Sequence, residues 1–175
     1  MSTIEKIEDK VAGWLKPVPH LPAGAQKWIA NNVWWIVLVG TILSGLGLLI
    51  GLVGFLGVLA LVGTTTSYYG AAVTGSVYGG GWVISALVSL AFTLGALILF
   101  ARAVSPLKAL KKQGWKLLFL VLLLDTVYVV LNSIFSFSII GFIFGIIFGA
   151  IGIAIGAYFL FEIRSHFVSA KAAKK

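Results

Sequence analysis

Cysteine is absent from all 175 residues of the chain, and five acidic side chains stand against thirteen basic ones. The first absence excludes disulfides, thiolate catalysis and any cysteine-based metal centre. Charge of either sign is scarce, at 10% of residues, and a soluble domain of this length could not cover itself with so little. Histidine occurs twice, at His20 and His166, too sparsely to build a histidine cluster. There is no nucleophile elbow and no phosphate-cradling loop with its lysine, and the Gly79 to Gly81 triplet stands outside either context. Catalytic chemistry therefore has no visible basis, and no cofactor is expected. Of four prolines, three crowd into residues 17–22, which leaves long stretches free to be helical.

Hydrophobic residues make up 60% of the chain, gathered into runs long enough to cross a bilayer. The most informative stretch is Gly141 to Gly156. At 3.6 residues per turn Gly141, Gly145, Gly149, Gly152 and Gly156 fall within an arc of roughly 80°, so one helix face is bare backbone. Phe142, Phe144, Phe148 and a run of isoleucines cover the rest, a surface suited to lipid. Each glycine costs a helix about 1 kcal/mol relative to alanine, a loss that close helix packing can offset. Gly40, Ser44, Gly47, Gly51 and Gly54 form a second small-residue face upstream. The Gly149 groove is expected to receive either that first span or the same groove of a second copy.

Read in order, residues 2–15 predict an amphipathic helix, with Ser2 and Glu5 at capping-box spacing and Ile4, Ile7, Val11, Trp14 and Leu15 on one side. Its polar face carries both signs. It suits either the membrane surface or a docked position against the chain's own basic loop. Residues 16–22 are a stiff proline linker in which His20 reads as a solvated loop residue. Trp28, Trp34 and Trp35 mark an interface before the first span, about 33–61. An unbroken helix from 33 to 62 would be about 45 Å long against a hydrocarbon core of about 30 Å, so it must tilt or emerge. Residues 64–81 carry no charge and read as an exposed loop, and a second span comes next at 82–101. Ser85, Ser89, Thr93 and Ala96 share one face of it. Pro106 is expected to break the next connection, with a short helix over 106–113. The apolar run from Leu117 to Phe161, about 67 Å if helical, divides at Asn132, Ser133, Ser136 and Ser138 into spans at 117–134 and 139–161. Glu162 and His166 are spaced for an intrahelical pair at the exit.

This pattern predicts an all-α integral membrane protein: residues 1–32 as amphipathic helix and linker, 33–163 as four transmembrane helices with glycine-rich packing faces, and 164–175 as a basic tail. All thirteen basic residues fall in the N-terminal arm, the connection around 102–116 and the tail; the other two connections hold none. The positive-inside rule then places both termini in the cytoplasm of a cell with this protein in its plasma membrane. Such a basic face attracts anionic lipid headgroups and accounts for the +8 charge without nucleic acid.

Asp125 sits near the middle of the third span, with Tyr128 and Asn132 on the same side. On the insertion scale an aspartate there costs about 2.5–3.5 kcal/mol, so it should face protein or water. Two roles suit it, a proton or cation relay and a structural hydrogen bond to Ser89 or Thr93. At the level of function they become a small oligomeric channel or transporter and a non-enzymatic scaffold or envelope component. Either is compatible with a homo-oligomer or with other membrane proteins as partners. The topology is directly testable because no native cysteine interferes: single cysteines at Ser76 and Ser136 should react with impermeant reagents outside intact cells, and one at Ala109 should not. External labelling at Ala109 would overturn the four-span arrangement.

Overall fold

A computed structural model describes residues 3–69, 80–135 and 139–167. Ser2, residues 70–79, Ser136, Ser138 and Lys171, Lys174 and Lys175 lie outside the described residues, and with them most of the stretch read as a loop from sequence. Those described form helices α1 (Thr3–Leu15), α2 (Ala23–Tyr69), α3 (Gly80–Lys108), α4 (Lys112–Ile134) and α5 (Ile139–Glu162), then a 3₁₀ turn at Arg164–His166. Four of these helices, α2 to α5, are long and apolar enough to cross a membrane. The protein is an all-helical chain of the multi-pass kind.

The first long helix differs from the sequence expectation at its far end. It begins at Ala23, before the tryptophan belt, and continues through Thr64 to Tyr69, where composition predicts a loop. Its 47 residues amount to about 70 Å, more than twice the hydrocarbon thickness. Threonine lowers helix propensity by competing for backbone, but here the Thr64 hydroxyl donates to the Leu61 carbonyl within the helix, at 2.8 Å.

Helices α2 to α5 pack as an antiparallel row in chain order: α3 lies between α2 and α4, and α4 between α3 and α5. The register can be traced from contact to contact. Gly45 and Gly51 of α2 face Leu97 and Leu90 of α3, and Gly95 of α3 faces Leu124 of α4. On α5, a Cβ added at Gly145 would meet Ser133, one at Gly149 would collide with Val129, and one at Gly156 would meet Leu122, all three residues on α4. The face expected to take the first span or a second copy is thus occupied along Gly145, Gly149 and Gly156 by the third span. Chain connectivity explains the outcome: helices joined by a short link become antiparallel neighbours, and this outweighs any matching of small faces. Gly152 has nothing within 4 Å, and Gly141 sits in the first turn of α5. On α2 the anticipated face is divided, with Gly51 against Leu90 and Gly40, Gly47 and Gly54 open.

Pro106 does not break the chain at its own position. It lies inside the last turn of α3, where the missing N–H costs a single hydrogen bond, and the helix closes two residues later. Closure takes the Schellman form: Lys111 N–H bonds the Pro106 carbonyl and Leu110 N–H the Leu107 carbonyl, both at 2.9 Å. Leu110 takes the left-handed conformation this requires, with φ of 48°, a position that usually favours glycine. Its side chain packs against the core, which offsets the strain. Beside it, a Cβ on Gly114 would stand 2.7 Å from the Leu107 nitrogen, so the first turn of α4 can approach the end of α3 only because residue 114 is glycine.

The buried core is not at the centre of the row. It gathers Ala30 and Val33 of α2, Ala103 and Leu107 of α3, Trp115 and Phe119 of α4, and Leu160 of α5 with Ile163 and Phe167 just after it. Arg102, Lys108, Lys112, Lys116 and Arg164 flank this end in sequence, a composition that suits the water-facing border of the spans. Apolar burial is driven by water, and within lipid that drive is missing, which explains why the side chains most fully buried lie here. Burying one aromatic of 150–250 Å² contributes on the order of 4–6 kcal/mol against water. Away from this end the spans show their apolar side chains outward, Ile50, Phe148 and Ile139 among them.

The occupied groove predicts a contrast. Gly149→Leu drives a side chain into Val129 and should lower stability by about 1–3 kcal/mol. Gly152→Leu, with open space before it, and Phe148→Leu, on an exposed residue, should be nearly silent in thermal unfolding followed by circular dichroism. Equal loss from Gly152→Leu and Gly149→Leu would mean that α4 is not what fills the groove.

Candidate functional site

Two groups of polar side chains stand out, one between the spans and one at the charged end. Between α3 and α4, the Ser85 hydroxyl donates to the Asn132 side-chain oxygen at 3.1 Å, and the Ser89 and Tyr128 hydroxyls share a bond of 3.1 Å. The spacing of both pairs comes from the antiparallel register: one turn along α3 matches one turn back along α4. Phe92 leans on the Tyr128 ring, centroids 5.6 Å apart, and holds it in place.

Asp125 is not part of this seam. Ser89, expected as its partner, is committed to Tyr128, and among the described residues Asp125 makes no hydrogen bond or ion pair. Its side chain is exposed and borders two clefts. One, of about 190 Å³, is lined by Ser44 of α2, Phe92, Thr93, Ala96 and Phe100 of α3, and Tyr128. The other, of about 260 Å³, is almost wholly apolar, lying between Val33 and Val37 of α2 and Gly156 and Leu160 of α5. Thr93 and Asp125 therefore share a cleft without touching through a hydrogen bond.

The charged end holds a denser arrangement, centred on Glu162. Its side chain is 5% exposed, and the donors that answer it come from more than 130 positions earlier in the chain. His20 Nδ1 lies 2.5 Å from one carboxylate oxygen. A carboxylate can only accept, so the His20 proton sits on Nδ1. Leu21 N–H donates to the other oxygen at 2.8 Å and Gln26 Nε2 to the same atom at 2.9 Å, while Gln26 also reaches the Leu21 carbonyl at 3.0 Å. Tyr158, one turn before Glu162, donates its hydroxyl to the Pro19 carbonyl at 2.7 Å. The three prolines make this possible, because an extended, stiff linker holds its backbone groups outward and loses little entropy on docking.

Comparison of the chain with protein-family models, with curated proteins and with solved structures returns no match. The site is accordingly read from its own geometry.

Next to Glu162, Trp115 ties the start of α4 to the end of α5. Its indole N–H donates to the Leu160 carbonyl at 2.7 Å, one of the carbonyls a helix C-terminus leaves unpaired. The ring stacks on Phe119 with centroids 5.6 Å apart and meets the edge of Phe161 at 5.4 Å. Arg164 lies over Trp115 at 5.5 Å and extends to Glu8 of α1 at 2.5 Å, with Asp9 at 3.9 Å. Glu8 is even more buried than Glu162. Glu5 lies 3.9 Å from Lys116 of α4. Of the two positions open to α1, contact with the chain's own basic end is observed, through Arg164 at the exit as well as Lys116.

The intrahelical pair of Glu162 and His166 is not formed. Helix α5 ends at Glu162, and His166 stands in the 3₁₀ turn beyond, so the i to i+4 spacing no longer implies a shared face. His20, a solvated loop residue by sequence, is the partner instead. Trp115 and Gln26 carry no signal in sequence beyond their types. The useful hint for Glu162 is that an acid comes immediately after a long apolar run, where burial demands donors.

Removal of the central carboxylate should release the linker. In Glu162→Ala the Leu21 N–H and the Gln26 amide lose a charged acceptor, at a cost of about 2 kcal/mol, and trypsin should reach Lys10 and Lys27 sooner than in the native chain. His20→Ala, at a 63% exposed side chain, should do less. Unchanged proteolysis of Glu162→Ala would show that the linker is held by other means.

Proposed function

We propose that the protein is a non-enzymatic multi-pass membrane component with a structural or scaffold role, set in the plasma membrane with both termini in the cytoplasm. The observation that carries this reading is the use made of polar side chains between the spans. Ser85 with Asn132 and Ser89 with Tyr128 satisfy one another across α3 and α4, as helix-joining pairs do. The glycine contacts of α5 on α4 add close dispersion packing, and the Glu162 cluster ties the two ends of the chain into one unit. Gly40, Gly47 and Gly54, open along α2 at the edge of the row, leave room for a neighbouring helix from a second copy or another membrane protein. The basic termini and central connection then meet anionic headgroups on the inner leaflet.

A second reading has one specific observation in its favour. Asp125, unpaired among the described residues, borders at once an apolar cleft and one that holds the hydroxyls of Ser44, Thr93 and Tyr128, a position a proton or cation relay in an oligomeric transporter would need. Flux separates the two. Purified protein in liposomes under a pH or potassium gradient should leak no faster than protein-free vesicles, and Asp125→Asn should behave identically. Flux in the native protein that Asp125→Asn abolishes would replace the scaffold reading with the transporter one.

A further inference from the structure

Helix α1 carries three acids and two lysines, so as an isolated segment it has little electrostatic attraction to an anionic membrane. Its docking changes that balance. Glu8 and Asp9 face Arg164, and Glu5 faces Lys116, so each acid of the helix has a cation of the bundle beside it. Lys6 and Lys10 remain on the exposed side.

We infer that α1 lies along the membrane surface at the charged end of the bundle, and that its docking through Glu8 and Glu5 is what presents an apolar, lysine-bordered face to anionic lipid. The helix geometry carries the argument. At about 100° per residue, the protein-facing side is centred between Glu8 and Ala12. Roughly a quarter-turn away comes the stripe of Ile4, Ile7, Val11 and Trp14, in which Ile4 is 42%, Ile7 37% and Trp14 66% exposed. A further quarter-turn brings Lys10 and Lys6, and Asp9 and Gly13 close the circle. A helix resting beside a transmembrane bundle at the interface needs this order of faces: protein, acyl chains, headgroups, water.

The height of the anchors agrees. Lys116 directly precedes the apolar run of α4 that begins at Leu117, and Arg164 stands two residues past the end of α5. Both mark the border at which headgroups lie, and α1 is held at that level. Lys10 Nζ lies 5.4 Å from the Trp14 ring, a pairing in which a cation sits at headgroup height above an aromatic at the acyl boundary. Exposed Trp28 and Trp35, near the start of α2, suit the same interface. The occupant of the stripe is therefore the bilayer that the four long helices span, and the inference rests on that spanning.

The absence of cysteine allows a direct measurement on the full chain. Nitroxide labels on Ile7→Cys, Trp14→Cys, Asp9→Cys and Phe148→Cys are read in vesicles containing phosphatidylglycerol, by collision with oxygen, which concentrates in lipid, and with a nickel chelate, which stays in water. Positions 7, 14 and 148 should favour oxygen several-fold over position 9. Water-like labels at 7 and 14 with a lipid-like label at 148 would overturn the placement of α1, whereas a water-like label at 148 would overturn the spanning itself. The docking part is tested by charge exchange. Arg164→Glu should abolish the oxygen preference at 7 and 14, and Glu8→Arg in the same chain should restore it. Retention of that preference in Arg164→Glu alone would overturn the role assigned to docking.

Discussion

A carboxylate removed from water needs donors, and at Glu162 they arrive from the opposite end of the chain. The residue closes α5, where its own helix leaves carbonyls rather than N–H groups free, so no local donor is at hand. His20, Leu21 and Gln26 fill the need, and in doing so bring the proline linker and the first turn of α2 against the last turn of α5. These bonds add to the apolar cluster that gathers Ala30 and Val33 of α2 with Leu160 of α5. With this contact in place, α1 is delivered within reach of Arg164, and the aromatic group of Trp115, Phe119 and Phe161 is covered on the side where water would enter.

Different forces hold the two halves of the protein. At the charged end, water supplies the drive for burial, and the fully buried residues Leu107, Trp115, Phe119 and Ile163 collect there. Along the spans, lipid removes that drive, and contact depends on how closely backbones approach: Gly145 and Gly149 admit Ser133 and Val129, and hydroxyl pairs join α3 to α4. Chain connectivity fixes which helices are neighbours, and the glycines and serines fix how near they stand. Asp125 belongs to neither system: it borders two clefts and makes no hydrogen bond or ion pair among the described residues.

The apolar runs make the four long helices legible, because length and hydropathy suffice to recognise a segment that lipid can surround. Their ends are less so. The first helix continues to Tyr69 through three threonines, since helical hydrogen bonding carries on where composition alone suggests a stop. Pro106 suggests a break by its type, although a proline in a last turn removes little, and Leu110 accepts a left-handed conformation that no residue type announces. The seam residues Ser85, Ser89, Tyr128 and Asn132 can be picked out by their helical spacing, but which pairs with which depends on the register of two helices.

Local periodicity and solvent preference let the sequence by itself determine the all-helical class, the spans, the glycine face of α5 and the segregation of basic residues from the uncharged connections. These depend on a few consecutive turns and on the cost of placing charge or open backbone in hydrocarbon. Only the tertiary structure decided that α4 fills the Gly145 and Gly149 groove, that Ser89 bonds Tyr128 and leaves Asp125 aside, and that Glu162 pairs with His20 instead of His166. Each of these joins residues far apart in sequence or turns on where a helix ends, and the alternatives offered by spacing alone differ little in local energy. The choice among them rests on docking geometry summed over the whole chain.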